Sequence, residues 1–411
     1  MQTFLEDAKN TTNIISTLSG EVKNKILNDM ADALITNISL ICEENEKDIQ
    51  AGKTNNLNDA LMDRLLLNKQ RVKSMSTAIN EISSLKDPVG RTLDGWIVEN
   101  GMNIQKTSVP IGVIGIIYES RPNVTSDTAA LCFKSGNVCI LKGGKEAQYS
   151  NKIIAQILQN VLASHNLPRS AISLLPNSSR DGVANLIKQD KYVDLIIPRG
   201  GEALIEFVSN NASVPVVKHD KGLCHTYIDS KADFKKALDV SLNAKCRRVG
   251  ICGAMETLLI HQDIANDILP ILQKEFSKFK TQLKGCEKTQ KIIDIKFASH
   301  KDFDTEYLDN ILSIKIVKDV KGAIEHIKTF GSGHSDAIIT ENYSNAQKFM
   351  DAVDSACVYL NASTQFTDGG EFGFGAEVGI STNKLHARGP MGLNELTTYK
   401  FKIYGNGQIR D

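Results

Sequence analysis

The sequence predicts an α/β protein with two parallel-sheet domains. Two observations support this fold class. Short apolar runs rich in β-branched residues alternate with longer amphipathic stretches from Val109 onward, and 411 residues are enough for two separate cores. Strands that alternate with helices favour parallel sheets covered by helices on both faces. Because a chain of this length is expected to divide into domains, we predict a boundary near Asp229.

The N-terminal part is predicted to be helical. Apolar residues recur there at helical spacing, with charged residues between them, at Val22, Ile26, Leu34, Ile38 and Ile41. This periodicity is typical of amphipathic helices that pack one face on a core. A further helix is predicted over residues 58–86.

Two segments do not fit the alternating pattern. Residues 91–106 carry the single tryptophan, Trp96, and predict a two-stranded hairpin whose turn is Asn100-Gly101. Residues 399–405 predict another isolated strand. Since exposed strand edges need a partner, we expect both segments to pair with other strands.

The remaining segments alternate between predicted strands and helices. In the first domain the predicted strands are residues 109–118, 138–142, 172–175, 193–198, 214–217 and 226–229. The helices predicted between them are residues 125–134, 146–162 and 182–188. A second alternating block comprises residues 232–248, 257–261, 264–278, 323–330, 335–339 and 345–353.

Composition argues against several classes of partner and site. The 48 basic and 48 acidic side chains balance, which gives no reason to expect a nucleic acid or a membrane surface as partner. No secretory signal or membrane-length apolar run is apparent, so we expect a cytoplasmic protein. The eight cysteines include no CxxC pair, so no metal site is predicted and most of them should be buried.

Two glycine-rich loops follow predicted strands. One spans residues 142–146 and the other spans residues 198–202. Such loops either bring backbone N–H groups close to a phosphate or simply form tight turns. Neither matches the GxGxxG fingerprint, but two loops at the carboxyl ends of strands in one sheet favour a nucleotide crevice.

Cys252 has a setting that differs from that of an ordinary buried cysteine. It lies between Gly250 and Gly253, in a loop that enters a strand, and Arg247 and Arg248 precede it. Glycines allow a substrate close access, and nearby guanidinium groups favour the nucleophilic thiolate. The alternative is a structural cysteine within the core.

Several longer segments resemble a known enzyme family. They read VPIGVIGIIYESRPNVTSDTAALCFKSGN, VDLIIPRGGEALI, RRVGICGAMETLL, HIKTFGSGHSDAIITE and FGFGAEVGISTNKLHARGPMGL. Through them the chain resembles the γ-glutamyl phosphate reductases (glutamate-5-semialdehyde dehydrogenases), a branch of the aldehyde dehydrogenase superfamily. The resemblance implies an NADP-binding domain of residues 1–90 and 107–229 and a catalytic domain of residues 230–395. It also implies a β-flap of residues 91–106 and 396–411 that builds a homodimer or homotetramer.

The resemblance also implies a reaction. NADPH reduces L-glutamyl 5-phosphate to L-glutamate 5-semialdehyde and phosphate through a thioester on Cys252, as the second step of proline biosynthesis from glutamate. Association with the glutamate kinase that makes the substrate is a further expectation. One alternative is an aldehyde-oxidising NAD(P)-dependent dehydrogenase of the same superfamily, and another is a catalytically silent binding or structural protein that retains the fold. Two residues depart from the family pattern: Gly253 replaces a common asparagine, and Cys246 replaces a common threonine.

Site roles follow from the same resemblance. With Cys252, the predicted catalytic residue is Asn123, either an oxyanion donor or a turn residue. The predicted cofactor-binding residues are Lys142, Lys145, Gly200, Gly201 and Glu377. Lys145 is expected to bind the 2′-phosphate of NADP, unless it is a plain surface lysine. Arg121 and Arg388 are the candidates for binding the substrate carboxylate, because a guanidinium binds carboxylate bidentately.

One position distinguishes reduction from hydrolytic oxidation. Aldehyde-oxidising relatives activate water with a glutamate, and the corresponding place in this chain holds His219. The resemblance therefore predicts that the thioester reacts with phosphate and is slow to react with water, unless a neutral His219 itself acts as the base.

Overall fold

The computed structural model describes residues 1–177, 179–218 and 221–410. Contacts divide these residues into two compact units. The first comprises Met1–Lys218, Gly373–Gly379 and the residues from Met391 onward, and the second comprises the intervening residues. The chain thus leaves the first unit after Lys218, whereas the sequence places the boundary at Asp229. The division into an NADP-binding and a catalytic domain stays a prediction.

Five helices begin the first unit. They are α1 Gln2–Ile15, α2 Gly20–Thr36, α3 Ile38–Thr54, α4 Asp59–Leu65 and α5 Lys69–Ser84. The single helix predicted over residues 58–86 is wrong, because the helical conformation is interrupted between Leu65 and Lys69. The Asn68 side chain accepts a hydrogen bond from the N–H of Arg71 and so caps α5. Asparagine favours this capping position over a helix interior.

A three-stranded antiparallel sheet follows, which we call the flap. It joins β1 Thr92–Ile97, β2 Asn103–Pro110 and the C-terminal strand Thr397–Tyr404, with β2 in the centre. The predicted hairpin is confirmed, and Gly101 takes the positive φ of 84° that its turn requires. The separate strand predicted near the C-terminus therefore pairs with the predicted hairpin.

The first parallel sheet has four strands. Its elements, in chain order, are β3 Val113–Tyr118, α6 Asn123–Lys134, β4 Val138–Lys142, α7 Gln148–Ser164, β5 Ile172–Leu174, α8 Arg180–Leu186, β6 Leu195–Arg199 and α9 Glu202–Asn211. The strand order is β5-β4-β3-β6, so the winding reverses between β3 and β6. In open α/β sheets such a reversal, at the carboxyl ends of the strands, is where ligands bind.

Three predicted strands of this region need correction. The strand predicted at residues 226–229 of the first domain spans Cys224–Ile228 and belongs to the sheet of the second unit. The run 109–118 is divided between β2 and β3, because Pro110 has no N–H to donate and Gly112 turns the chain with a φ of 132°. The run 214–217 forms no strand of its own. It contributes one bridge, in which Val216 pairs with Ile196.

The second unit contains a larger parallel sheet. Its elements are β7 Cys224–Ile228, α10 Phe234–Cys246, β8 Met255–His261, α11 Ala265–Lys278, β9 Gln282–Gly285, α12 Glu287–Gln290, β10 Lys296–Phe297, α13 His300–Phe303, β11 Ile311–Val317, α14 Val320–Phe330, β12 Ser335–Ile339, α15 Tyr343–Ala352 and β13 Cys357–Leu360. The order is β10-β9-β11-β8-β7-β12-β13. Two further short strands are Gly379–Ser381 and Gly389–Met391.

The larger sheet separates two buried cores. Leu258 and Ile260 of β8 belong to one hydrophobic cluster, and Leu259 between them belongs to the other. This alternation is expected where both faces of a strand are covered. The predicted α/β class with parallel sheets is confirmed. Among the described residues, no helix has the length and apolar character needed to span a membrane.

Candidate active site

The reversal point of the first sheet brings a carboxylate against a glycine-rich loop. Gly201 is the N-terminal cap of α9, and its N–H donates to Oε2 of Glu119 over 2.9 Å. A side-chain carbon on Gly200 would lie 2.6 Å from the Glu119 carboxyl carbon. The two glycines thus allow an anion to reach the positive end of α9. Sequence reasoning missed Glu119, although an acidic residue directly after β3 was a usable signal.

The second glycine-rich loop carries the two predicted lysines. Lys142 ends β4, and burial lowers its pKa while Glu146 and Glu119 act in the opposite direction. Lys145 is exposed in a short 3₁₀ turn. Gly143 has no room for a side chain, since Asn151 fills that space. The loop is therefore packed closely beside the strand ends while Lys145 stays accessible.

Glu377 comes to this same edge of the sheet from a distant part of the chain. The guanidinium of Arg199, the last residue of β6, donates to the carbonyl of Val378. Glu377 is the neighbour of Val378 and is half-buried. Four of the predicted cofactor-binding residues, Lys142, Gly200, Gly201 and Glu377, therefore lie along one edge of the first unit.

Asn123 lies at the start of a helix, whereas the sequence leaves it before the helix predicted over residues 125–134. It is the first residue of α6, and its Nδ2 donates to Oδ2 of Asp127 over 2.9 Å. Burial raises the pKa of Asp127 to about 6, against hydrogen bonds from Asn123 and Ser126 and the charge of Arg199. Spacing of four residues places both side chains on one helix face. Asp127 thus fixes the amide of Asn123. Arg121, just before the helix, has an exposed side chain.

Cys252 lies in the loop between α10 and β8, at the amino end of β8. Cys252 is partly buried. The Cys224 thiol donates to the Cys252 carbonyl over 3.1 Å, and a side-chain carbon on Gly222 would lie 2.7 Å from the Cys252 Cα. Close packing against residues 222–224 therefore fixes the backbone of the predicted nucleophile.

The other side of this loop contacts residues 364–365. Thr364 donates to the carbonyl of Gly253 over 2.8 Å, and Gln365 donates to the carbonyl of Ala244 over 2.8 Å. Gln365 also accepts from Nε of Arg247 over 2.8 Å. A side-chain carbon on Gly253 would lie 3.0 Å from the Thr364 carbonyl, so the glycine matches this close approach. Nothing in the sequence around Gln365 signalled its role.

Cys246 has contacts of its own. Its thiol lies 3.4 Å from Oγ1 of Thr281, and burial is the main reason that its pKa is raised. It also packs against the hydrophobic core beside β8. These contacts account for Cys246 as a packing residue.

Arg388 is engaged by a carboxylate within the second unit. Its Nη1 donates to Oδ1 of Asp354 over 2.8 Å and its Nη2 donates to the Asp354 carbonyl over 2.6 Å. Hydrogen bonds from Lys384 and then Arg388 lower the pKa of Asp354. The role of Arg388 in binding substrate stays a prediction. His219 lies outside the described residues.

Comparison with known proteins gives consistent results. The profile of the aldehyde dehydrogenase family matches residues 1–292, and members of that family are oxidoreductases that use a nicotinamide cofactor. The chain is 62% identical over 411 residues to a γ-glutamyl phosphate reductase of Nautilia profundicola, covering all of both chains. It is also 62% identical over 410 residues to one of Sulfurimonas denitrificans, again covering all of both.

Solved structures agree. The crystal structure of the γ-glutamyl phosphate reductase of Thermotoga maritima matches with a TM-score of 0.98 at 45% identity, covering 100% of this chain and 99% of that one. An acetylating aldehyde dehydrogenase of Geobacillus thermoglucosidasius shares the fold, with a TM-score of 0.67 at 18% identity over 100% and 97% of the two chains. The chain therefore belongs to the aldehyde dehydrogenase family and, within it, to the γ-glutamyl phosphate reductases.

Proposed function

We propose that this protein reduces L-glutamyl 5-phosphate to L-glutamate 5-semialdehyde and phosphate, with NADPH as the reductant and a thioester on Cys252 as the intermediate. This is the second step of proline biosynthesis from glutamate. The observation that carries the proposal is 62% identity over the whole chain to relatives named γ-glutamyl phosphate reductase.

The residues of the first unit fit a phosphate-bearing nucleotide. Gly201 caps the start of α9 and donates its N–H to the carboxylate of Glu119, which supports the positive end of this helix as a place that attracts anions. Lys142 and Lys145 add positive charge in the neighbouring loop, which suits the 2′-phosphate that distinguishes NADPH from NADH. Glu377 is assigned to the nicotinamide ribose. When bound, the nicotinamide supplies a hydride to the acyl carbon.

Cys252 performs the covalent step. Its thiolate attacks the acyl carbon of the substrate, the carbon–oxygen bond to phosphate breaks, and phosphate departs with the electron pair to leave a thioester. After reduction, the tetrahedral oxyanion collapses, the carbon–sulfur bond breaks and the thiolate is restored. The backbone N–H of Cys252 and the amide of Asn123 are assigned as donors to the oxyanion, each worth about 3 kcal/mol. Arg121 and Arg388 are assigned to the substrate carboxylate.

The test follows the reaction in reverse, because the acyl phosphate is labile. Purified protein is given L-glutamate 5-semialdehyde and NADP⁺, and NADPH formation is recorded with and without inorganic phosphate. We expect a strong dependence on phosphate, since no glutamate stands at position 219 to activate water, and loss of a general base slows hydrolysis by about 10²–10⁴-fold.

A matched reaction with the Cys252→Ala variant corrects for background NADPH formation. Rapid formation of glutamate without phosphate would contradict the proposal and favour an aldehyde-oxidising dehydrogenase of the same family.

We also propose that the flap holds together a homodimer or homotetramer. One flap face carries Trp96, Tyr399 and Phe401. The ring centroid of Phe401 lies 6.1 Å from that of Trp96 and 5.7 Å from that of Tyr399, and Phe401 is 51% exposed. Exposed apolar clusters of this kind mark interaction sites. A cytoplasmic location and association with the kinase that makes the substrate complete the proposal.

Removing the chain after Thr398 should produce monomers or aggregates, because β2 loses most of its pairing with the C-terminal strand. Sedimentation velocity measures the outcome. Lys402→Ala, on the opposite face of that strand, serves as the control. Unaltered oligomers after truncation would remove the flap from the interface.

A further inference from the structure

The loop that carries Cys252 has a charged residue at each end. Lys245 lies in the last turn of α10, and Glu256 is the second residue of β8. The Nζ of Lys245 lies 2.7 Å from Oε2 of Glu256. This ion pair therefore joins the two ends of the loop formed by residues 247–254.

The pair is fully enclosed. The side chains of Lys245 and Glu256 are 0% and 1% exposed. Removing two charges from water costs so much free energy that apolar residues of similar volume often serve stability equally well. Net stability is therefore a poor reason for a charged pair at this place. What the pair supplies, and an apolar contact does not, is a fixed distance and direction between α10 and β8.

The second oxygen of the carboxylate is also engaged. Oε1 of Glu256 accepts the N–H of Leu308 over 3.2 Å. Glu256 thus ties the start of β8 both to α10 and to the segment before β11. Cys224 bonds to the carbonyl of Cys252, and Gln365 bonds to Arg247 and to the carbonyl of Arg248. The nucleophile loop is therefore held at its base and along its length.

We propose that Lys245 and Glu256 are positioning residues for Cys252, whose ion pair sets the geometry in which the loop presents the thiol. The inference rests on the proposed role of Cys252 as nucleophile. Neither side chain takes part in the chemistry. A displacement of the nucleophile by about 1 Å costs about 10²-fold in rate, so the geometry of the base of the loop matters to turnover.

The charge on Glu256 gives the proposal a pH dependence. Burial raises the pKa of this carboxyl to about 7, with Lys245 acting in the opposite direction and Glu306 adding to the rise. Tyr307 and Cys224 also interact with its charge. Protonation below that pH neutralises Glu256, so the hold on the loop should weaken as the pH falls through about 7.

Two variants of the full-length protein test the idea. The double variant Lys245→Met/Glu256→Leu removes the pair without leaving one buried charge alone. The single variant Glu256→Gln keeps the shape of the side chain but replaces one carboxylate oxygen by an NH₂ group. It therefore loses the hydrogen bond either from Lys245 or from the Leu308 N–H. For each variant we would measure kcat, KM, melting temperature and the rate at which iodoacetamide alkylates Cys252, followed by mass spectrometry of its peptide.

We expect the double variant to melt near the wild type, with kcat lower by about 10–100-fold and KM unchanged. Alkylation of Cys252 should slow by more than about threefold, because a loosened loop stabilises the thiolate less well. The wild-type kcat should fall as the pH drops through about 7, and Glu256→Gln should lack that step. The control is Lys235→Met/Asp239→Leu, which removes an exposed ion pair from the same helix.

A folded double variant with kcat and alkylation within about twofold of wild type would overturn the proposal. If the double variant does not fold, a pH profile of Glu256→Gln that coincides with that of the wild type overturns it equally. Alkylation needs no substrate. Its outcome is therefore independent of the activity test on Cys252→Ala, which addresses the proposed function.

Discussion

The candidate residues lie at the carboxyl ends of the strands in the first parallel sheet, but at the amino end of a strand in the second. In the first unit, Lys142 lies at the carboxyl end of β4, and Gly200 and Gly201 lie between the carboxyl end of β6 and the start of α9. In the second unit, Cys252 lies at the amino end of β8, after the end of α10. The first edge follows the general rule for ligand binding in open sheets, and the second does not.

The difference follows from what each edge must bind. A carboxyl edge presents helix N-termini, whose free N–H groups and partial positive charge suit phosphates. At the amino edge the preceding helix ends instead, with a partial negative charge that does not stabilise a thiolate. The nucleophile loop must therefore obtain its electrostatic support from its own backbone and from neighbouring side chains. This explains why so many contacts converge on that loop.

Loss of the Cys252 thiol should have the largest effect, because it should abolish turnover and leave cofactor binding in the first unit unchanged. Cys252→Ala is expected to lower kcat by at least about 10⁴-fold, because no other group can form the thioester. NADPH binding, measured by fluorescence titration, should stay unchanged, since the substitution leaves the first unit intact. Substantial residual reduction would reject the thioester route.

The next effect tests the amide donor in the first unit. Asn123→Ala should lower kcat by about 10²–10³-fold with little change in KM, as expected for a bond made to the oxyanion. Wild-type kcat should also decline as the pH falls through about 6, because Asp127 is then protonated and holds Asn123 less firmly. Asp127→Asn should abolish that decline. An unchanged kcat in Asn123→Ala would return Asn123 to a purely structural role.

Cofactor choice should depend on the first unit alone. Lys145→Glu places a negative charge where the 2′-phosphate is expected, and charges about 4 Å apart interact by about 1–4 kcal/mol at a protein surface. We therefore expect the ratio of kcat/KM for NADPH over NADH to fall by about tenfold or more. Lys152→Glu, an exposed lysine on α7, is the control. Equal ratios in all three proteins would exclude Lys145 as the residue that binds the phosphate.

The smallest effect concerns stability of the second unit. His326 is buried beside Phe303 and Phe330, and burial lowers its pKa to about 2. The folded state keeps it neutral, so unfolding takes up a proton below about pH 6.5 and stability falls as the pH falls. His326→Phe should reduce the loss of unfolding free energy between pH 7 and pH 5 by about 2 kcal/mol. Denaturant titrations at both pH values measure this, with exposed His300→Asn as the control. Parallel slopes in wild type and His326→Phe would contradict it.

Local sequence patterns determined most of the architecture. Alternating apolar runs predicted the two parallel sheets, and Asn100-Gly101 between β-rich segments predicted the hairpin, because period and turn chemistry act over a few residues. The same patterns failed where a single residue overrides periodicity, as at Asn68 and Pro110. They also indicated the glycine-rich loops as candidate phosphate-binding sites and Cys252 as the candidate nucleophile, but they did not predict which residues contact each of them.

Tertiary structure alone decided the environment of those candidates. The contact of Glu119 with Gly201, that of Arg199 with Val378 and that of Gln365 with Arg247 of the nucleophile loop each join residues 82 or more positions apart. Folding brings such pairs together through the order of strands in each sheet, which local propensity does not encode. The ion pair of Lys245 and Glu256 is close in sequence, yet its burial depends on how the second unit packs around α10 and β8. Residue types are therefore fixed by the sequence, but their distances and electrostatic environment arise only from packing across the whole fold.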